Sequence, residues 1–141
     1  MSCKRITLTE AIRFHGHLGP YLILGILAGE LAVKELRFKK YFDLNVTVWG
    51  ASKKPKSCLI DGLQLSTGAT YGKDNIKKLN GSNIKIEFRN LLNRKGIILK
   101  FKSELIQKLK EAKTHSDSEF LARKLYNTDC NKLFILSTVN R

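Results

Sequence analysis

Cysteine is scarce in this 141-residue chain, which carries only Cys3, Cys58 and Cys130, far apart and with no CxxC pair. That spacing excludes a zinc ribbon and a thioredoxin-type dithiol. An odd, sparse set of thiols suits a reducing cytoplasm better than a disulfide scaffold. Long apolar runs are missing as well. The most apolar stretch, residues 18–33, is interrupted by Pro20 and Glu30 and falls short of the roughly 20 residues a bilayer span needs. The N-terminal segment lacks the apolar core of a secretory signal, so the expectation is a soluble, cytoplasmic protein with no membrane partner. Acidic residues are few, 12 against 26 Lys and Arg, for a net charge of +14. Such a surplus attracts nucleic acid, anionic lipid or phosphate-bearing ligands without choosing among them. Lys supplies most of it and lacks the planar fork of Arg. No common nucleic-acid motif is present, and aromatics are not interleaved with the basic clusters.

What is present is enough for one domain with a core of its own: 43% of the residues are hydrophobic, and the length needs no staples. No repeat, low-complexity segment or linker interrupts the chain. "TLTE" at 7–10 forms a capping box, Thr7 at the N-cap and Glu10 at N3, opening a short helix toward Phe14. Pro20 is suited to the first position of a second helix through "YLILGILAGELAVKEL". Gly25, Ala28, Gly29 and Ala32 make a small-residue face on it, and each glycine costs about 1 kcal/mol relative to Ala. Close packing of the helix on a sheet is the plainer account of that face; approach of a ligand or a second protomer is the other.

"NVTVWGA" at 45–51 alternates as a strand, and "KKPK" makes a basic turn. Ser57 then opens a helix over "CLIDGLQLST" that Gly68 stops. "NIKIEF" and "GIILKF" pair as a hairpin over "NRKG". "SELIQKLKEA" is amphipathic, "SDSE" at 116–119 is a second capping box, and "KLFILSTV" at 132–139 reads as a last strand. The order gives an α+β fold in a single domain spanning residues 1–141.

Three features carry candidate chemistry. His15 and His17 flank one glycine, and alternate residues of an irregular segment can converge on one metal; packing or helix capping would equally account for them. Cys58 sits just inside a helix N-terminus two residues past Lys56, a setting that lowers a thiol pKa, although isolated thiols commonly serve as small hydrophobes. Asp61, one turn later, is placed to orient a ligand, to bind one, or to bridge to a surface Lys. "TGATYGKDN" at 67–75 is Gly-rich but is not a P-loop: three residues, not four, separate Gly68 from Gly72, and Asp74 follows Lys73. It leaves a turn able to bring Thr70, Tyr71 and Lys73 to one pocket edge.

"FHGHLGPYLILGILAGELAVKEL" resembles the Phe-His-Gly-His-x-Cys-Pro-Gly signature of the FmdE family, named for the E component of formylmethanofuran dehydrogenase. "CLIDGLQLSTGATYGKDNI" resembles that family's second motif, a Cys and an Asp ahead of a Gly-Cys-Thr-x-Gly-Lys turn. "FRNLLNRKGIILKF" is similar to its following hairpin, so the resemblance is strongest over residues 9–102. It implies an α-β-α-β-β-β core with a mixed sheet, C-terminal helices added here, and a homodimer. It also implies a metal site at His15, His17, Cys58 and Asp61, with Thr70, Gly72 and Lys73 beside it as ligand- or cofactor-binding residues. Gly19 stands where the first motif has Cys, and Ala69 where the turn has Cys; the zinc finger that some members add is absent. Two imidazoles and one thiolate remain a reasonable set for a divalent metal such as zinc, like three-ligand sites that keep a water.

The function expected from these features is a metal- or small-ligand-binding domain, accessory to a metalloenzyme or to one-carbon metabolism. No complete set of acid, base and nucleophile names a reaction. The rival readings are a basic nucleic-acid-binding or regulatory protein and a degenerate, non-catalytic interaction partner of a larger assembly.

Overall fold

Thr7 opens helix α1 (Leu8–His15) with both halves of the capping box: its Oγ1 accepts from the Glu10 N–H at 3.1 Å, and Glu10 Oε1 accepts from the Thr7 N–H at 3.2 Å. The computed structural model describes residues 5–140, so Cys3 lies outside the described residues. Helix α2 (Pro20–Leu36) follows with Pro20 at its start. Every residue from Leu22 to Gly29 is buried, the signature of a helix enclosed on all sides. Strand β1 (Leu44–Trp49) leads to α3 (Cys58–Thr67), which Gly68 ends in the left-handed region. Strands β2 (Ile76–Leu79), β3 (Lys85–Asn90) and β4 (Lys95–Phe101) come next. Helices α4 (Ser103–Glu111) and α5 (His115–Tyr126) then precede β5 (Phe134–Asn140).

The five strands form one mixed sheet in the order β2-β1-β3-β4-β5, with β1 and β2 parallel and the other pairs antiparallel. Parallel neighbours require a crossover, and α3 supplies it. The register aligns Val46 with Phe88 and Phe88 with Ile97, and the next row Val48 with Ile86 and Leu99. All six are buried, so alternation sends one face of the sheet into the core. The α+β class, the single mixed sheet and the added C-terminal helices are those expected.

The glycines of α2 do a different job from the one expected of them. A Cβ on Gly25 would lie 2.2 Å from the Leu59 carbonyl oxygen, and one on Gly62 would lie 2.1 Å from that of Leu22. The small-residue face therefore packs on helix α3, not on the sheet, and it is unavailable to a second protomer. Gly25 meets Gly62 and Gly29 meets Ser66, so the two helices run parallel with their N-termini side by side. Ser66 Oγ locks the contact by donating to the Gly62 carbonyl at 2.9 Å and lying 3.2 Å from that of Gly25.

The N-cap of α5 also differs from the expected Ser116. It is Thr114, whose Oγ1 accepts from the Asp117 N–H at 3.0 Å; the earlier cap wins because it adds helical residues at its own N-terminus. No helix among the described residues is long and apolar enough to cross a membrane.

Candidate metal centre

Gly16 makes the site possible. It ends α1 at φ 102°, its N–H donating to the Ile12 carbonyl at 2.7 Å, a conformation that L side chains rarely adopt. The reversal turns His17 back beside His15, with ring centroids 4.6 Å apart. The parallel packing of α2 and α3 brings Cys58, first residue of α3, to the same place. One ligand atom from each of His15, His17 and Cys58 lies within 4.8 Å of the others.

The two imidazoles are held differently. His15 is nearly buried, and its Nδ1 lies 2.6 Å from Asp61 Oδ2. A carboxylate accepts there, so the proton belongs on Nδ1 and the lone pair on Nε2. That Nε2 is buried and has no hydrogen-bond partner among the described residues. Buried polar atoms are rarely left so. His17 is exposed; partial burial, then the neighbouring positive character of His15, His115 and Lys54, holds its pKa below the usual value. At neutral pH it is a neutral donor.

Asp61 stands behind His15 and is outside the three-atom cluster. Its second oxygen, Oδ1, accepts from Gln64 Nε2 at 3.4 Å, and Gln64 Oε1 accepts from the Tyr71 N–H at 3.2 Å. This relay ties the His-Gly-His segment to the Gly-rich turn. Gln64 is a site feature that the sequence motifs do not single out. The usable signal is the Asp61/Gln64 spacing of three on a helix, which puts the two side chains on one face.

The thiol does not match its local sequence. Burial pushes the Cys58 pKa up, Asp61 adds to the rise, and Lys54 opposes it. The lowering expected from the helix N-terminus and the basic turn is thus reversed for the protein alone. A bound cation would oppose that rise and favour the thiolate.

Gly19, where the resembling motif has Cys, caps α2 in extended conformation. A Cβ there would lie 3.7 Å from His17 Nε2, in ordinary contact, so the position faces the cluster and admits a side chain. Ala69, at the other missing cysteine, is fully buried.

Thr70, Gly72 and Lys73 gather in a 3-10 turn at Tyr71–Lys73. Thr70 Oγ1 accepts from the Lys73 N–H at 3.2 Å, and the Thr70 N–H donates to Asn75 Oδ1 at 2.9 Å. Lys73 Nζ donates to the Gly68 carbonyl and lies 5.3 Å from the Phe42 ring centroid. A Cβ on Gly72 would meet only Thr70 Oγ1, at 3.8 Å. The turn reaches His15 through Gln64 and Asp61.

Residues 14–135 match the model of the family described as FmdE, molybdenum formylmethanofuran dehydrogenase operon. The chain is also similar to the crystal structure of a tungsten formylmethanofuran dehydrogenase FmdE-like protein from Syntrophus aciditrophicus. The TM-score is 0.67 at 21% identity, with 94% of this chain and 70% of that one covered. That likeness concerns the fold. No curated protein matches the chain.

Proposed function

The chain belongs to the FmdE family, the match running over residues 14–135, and on that premise we propose that it is a metal-binding domain whose ligands are His15, His17 and Cys58. The observation that carries the reading is the buried, unpartnered Nε2 of His15, on a residue that shares a cluster of ligand atoms within 4.8 Å with His17 and Cys58. A buried lone pair left without a proton donor is what a cation would satisfy. The mixed nitrogen and sulfur set favours zinc or a similar thiophilic divalent ion. With three protein donors such an ion keeps a position for water or an incoming ligand, at which it acts as a Lewis acid.

Asp61 serves as a positioning residue. It fixes the tautomer and the ring orientation of His15, as carboxylates behind metal-bound imidazoles do. The turn of Thr70, Gly72 and Lys73 braces Asp61 through Gln64. The family's description places its members with a molybdenum formylmethanofuran dehydrogenase operon, which supports an accessory role beside a metalloenzyme of one-carbon metabolism. The homodimer that the family resemblance implies must use a surface other than the Gly25–Gly29 face, which α3 fills.

The test is zinc titration of the wild type, Cys58→Ser, His17→Ala and His115→Ala. The first two variants lose affinity by about 100-fold or more, as befits removal of one of few ligands. His115, exposed on α5 and 3.9 Å from Glu119, changes it by less than about threefold. Equal affinities across the set would exclude the centre.

A further inference from the structure

A cavity of about 330 Å³ opens at the same end of the molecule as the proposed metal centre. Tyr21, on the first turn of α2, and Lys56, two residues before Cys58, form one side of it. The segment 82–84 ahead of β3, the end of β4, the start of β5 and one face of α4 form the rest. Its floor is apolar, with Phe101, Ile106 and Leu109 among the lining residues. The charges on its walls are of one sign only: Lys56, Lys100 and Lys110, with no acidic residue among them. None of these lysines is in an ion pair among the described residues. Two helix N-termini, those of α2 and α3, lie side by side at this end and add positive potential.

From this combination we infer that the cavity binds an organic monoanion with an apolar body, the head group held among Lys56, Lys100 and Lys110 and the body lying on Phe101, Ile106 and Leu109. The volume is at the small end of small-molecule sites. At the roughly 30 Å³ a water-sized group occupies in a liquid, it holds about ten non-hydrogen atoms, the size of a medium-chain carboxylate. Apolar burial supplies attraction without direction, and the lysines select the sign of the head group. Tyr21 adds a phenol whose pKa is raised by burial, so it remains a hydrogen-bond donor. A second cavity, of about 470 Å³ between α4 and α5, also has lysines, but Glu104 stands among them, and Lys102 is tied to the Asn131 carbonyl. Its charge is partly spent, and it is the weaker anion site.

The inference stands on the cavity and not on the metal centre, so its test begins with metal-free protein. Octanoate, 1-octanol and octylammonium are titrated into the wild type and into the double variant Lys100→Gln/Lys110→Gln, with amide and methyl shifts followed by NMR. Octanoate is expected to bind at least about tenfold more tightly than octylammonium. Its largest shifts should fall at Tyr21, Ile106 and Leu109. The double variant should lose about tenfold for octanoate while leaving octanol unchanged. Both lysines are exposed, and an amide spectrum of the double variant that matches wild type away from residues 100 and 110 confirms that the fold is intact. Equal binding of octanoate and octylammonium, no effect of the double variant, or shifts centred on Leu121 and Leu125 in the second cavity would each overturn the inference.

Discussion

The two ends of helix α3 carry the two motifs that stand out in the second half of the site, and they end up in opposite states. At the N-terminal end, Cys58 and Asp61 meet His15 and His17, and a buried nitrogen is left with no partner among the described residues. At the C-terminal end, Thr70 and Lys73 use their polar groups within the turn, on each other, on Asn75 and on the Gly68 carbonyl. Both are rich in ligand-type residues. Only the first leaves a buried side-chain nitrogen without a hydrogen-bond partner among the described residues. Unsatisfied capacity, not the presence of polar residues, separates a place built for a ligand from a place built to hold a loop.

The contrast can be broken by variants at either end. The largest effect after loss of a ligand itself belongs to Asp61→Asn. An amide cannot hold the Nδ1 proton as a carboxylate does, so zinc affinity should fall by about 10–100-fold, with little change in melting temperature. An affinity equal to wild type would make the 2.6 Å contact to His15 a surface bridge only. Next comes pH. Cys58 must lose a proton on binding, and its raised pKa keeps that proton in place through neutral pH. Affinity should therefore climb about tenfold per pH unit across the neutral range. His17, with its lowered pKa, adds to the slope only on the acid side. A flat profile between about pH 6.5 and 8 would mean that the thiol is not a ligand.

Gly19→Cys sharpens the comparison from the other side. Its Cβ would lie 3.7 Å from His17 Nε2 with no backbone strain, so an added thiolate should tighten zinc by about tenfold or more. Unchanged affinity would show that the His-Gly-His segment does not present residue 19 to the metal. The smallest effect is at the far end of α3. Thr70→Val removes the acceptor for the Lys73 N–H and should cost about 1 kcal/mol of stability. Zinc affinity should stay within about twofold. A large loss of zinc affinity there would mean that the turn belongs to the site directly.

Much of this is legible in the sequence because its causes are local. The Thr7/Glu10 capping box, Pro20 at a helix start and Gly68 at a helix end each depend on residues within one turn. Strand β2 is not legible to patterning: "IKKL" buries only Ile76, and its place in the sheet is set by pairing with β1. The partner of the α2 glycines escapes the sequence for a similar reason, since close approach is visible there but the approaching element is not. The direction of the Cys58 pKa shift differs from the expected one because the neighbouring lysines can be counted along the chain, whereas burial, the largest cause of the rise, cannot. His15 and Asp61 lie 46 residues apart, so only the fold shows that the carboxylate stands behind the imidazole.

The most direct test counts the ligands. Zinc-loaded wild-type protein, examined by X-ray absorption at the zinc edge, should show one sulfur at about 2.3 Å and nitrogen or oxygen donors at about 2.0–2.1 Å, two of them imidazole. A shell of nitrogen and oxygen alone, or one with two sulfurs in the wild type, would contradict a centre made by His15, His17 and Cys58.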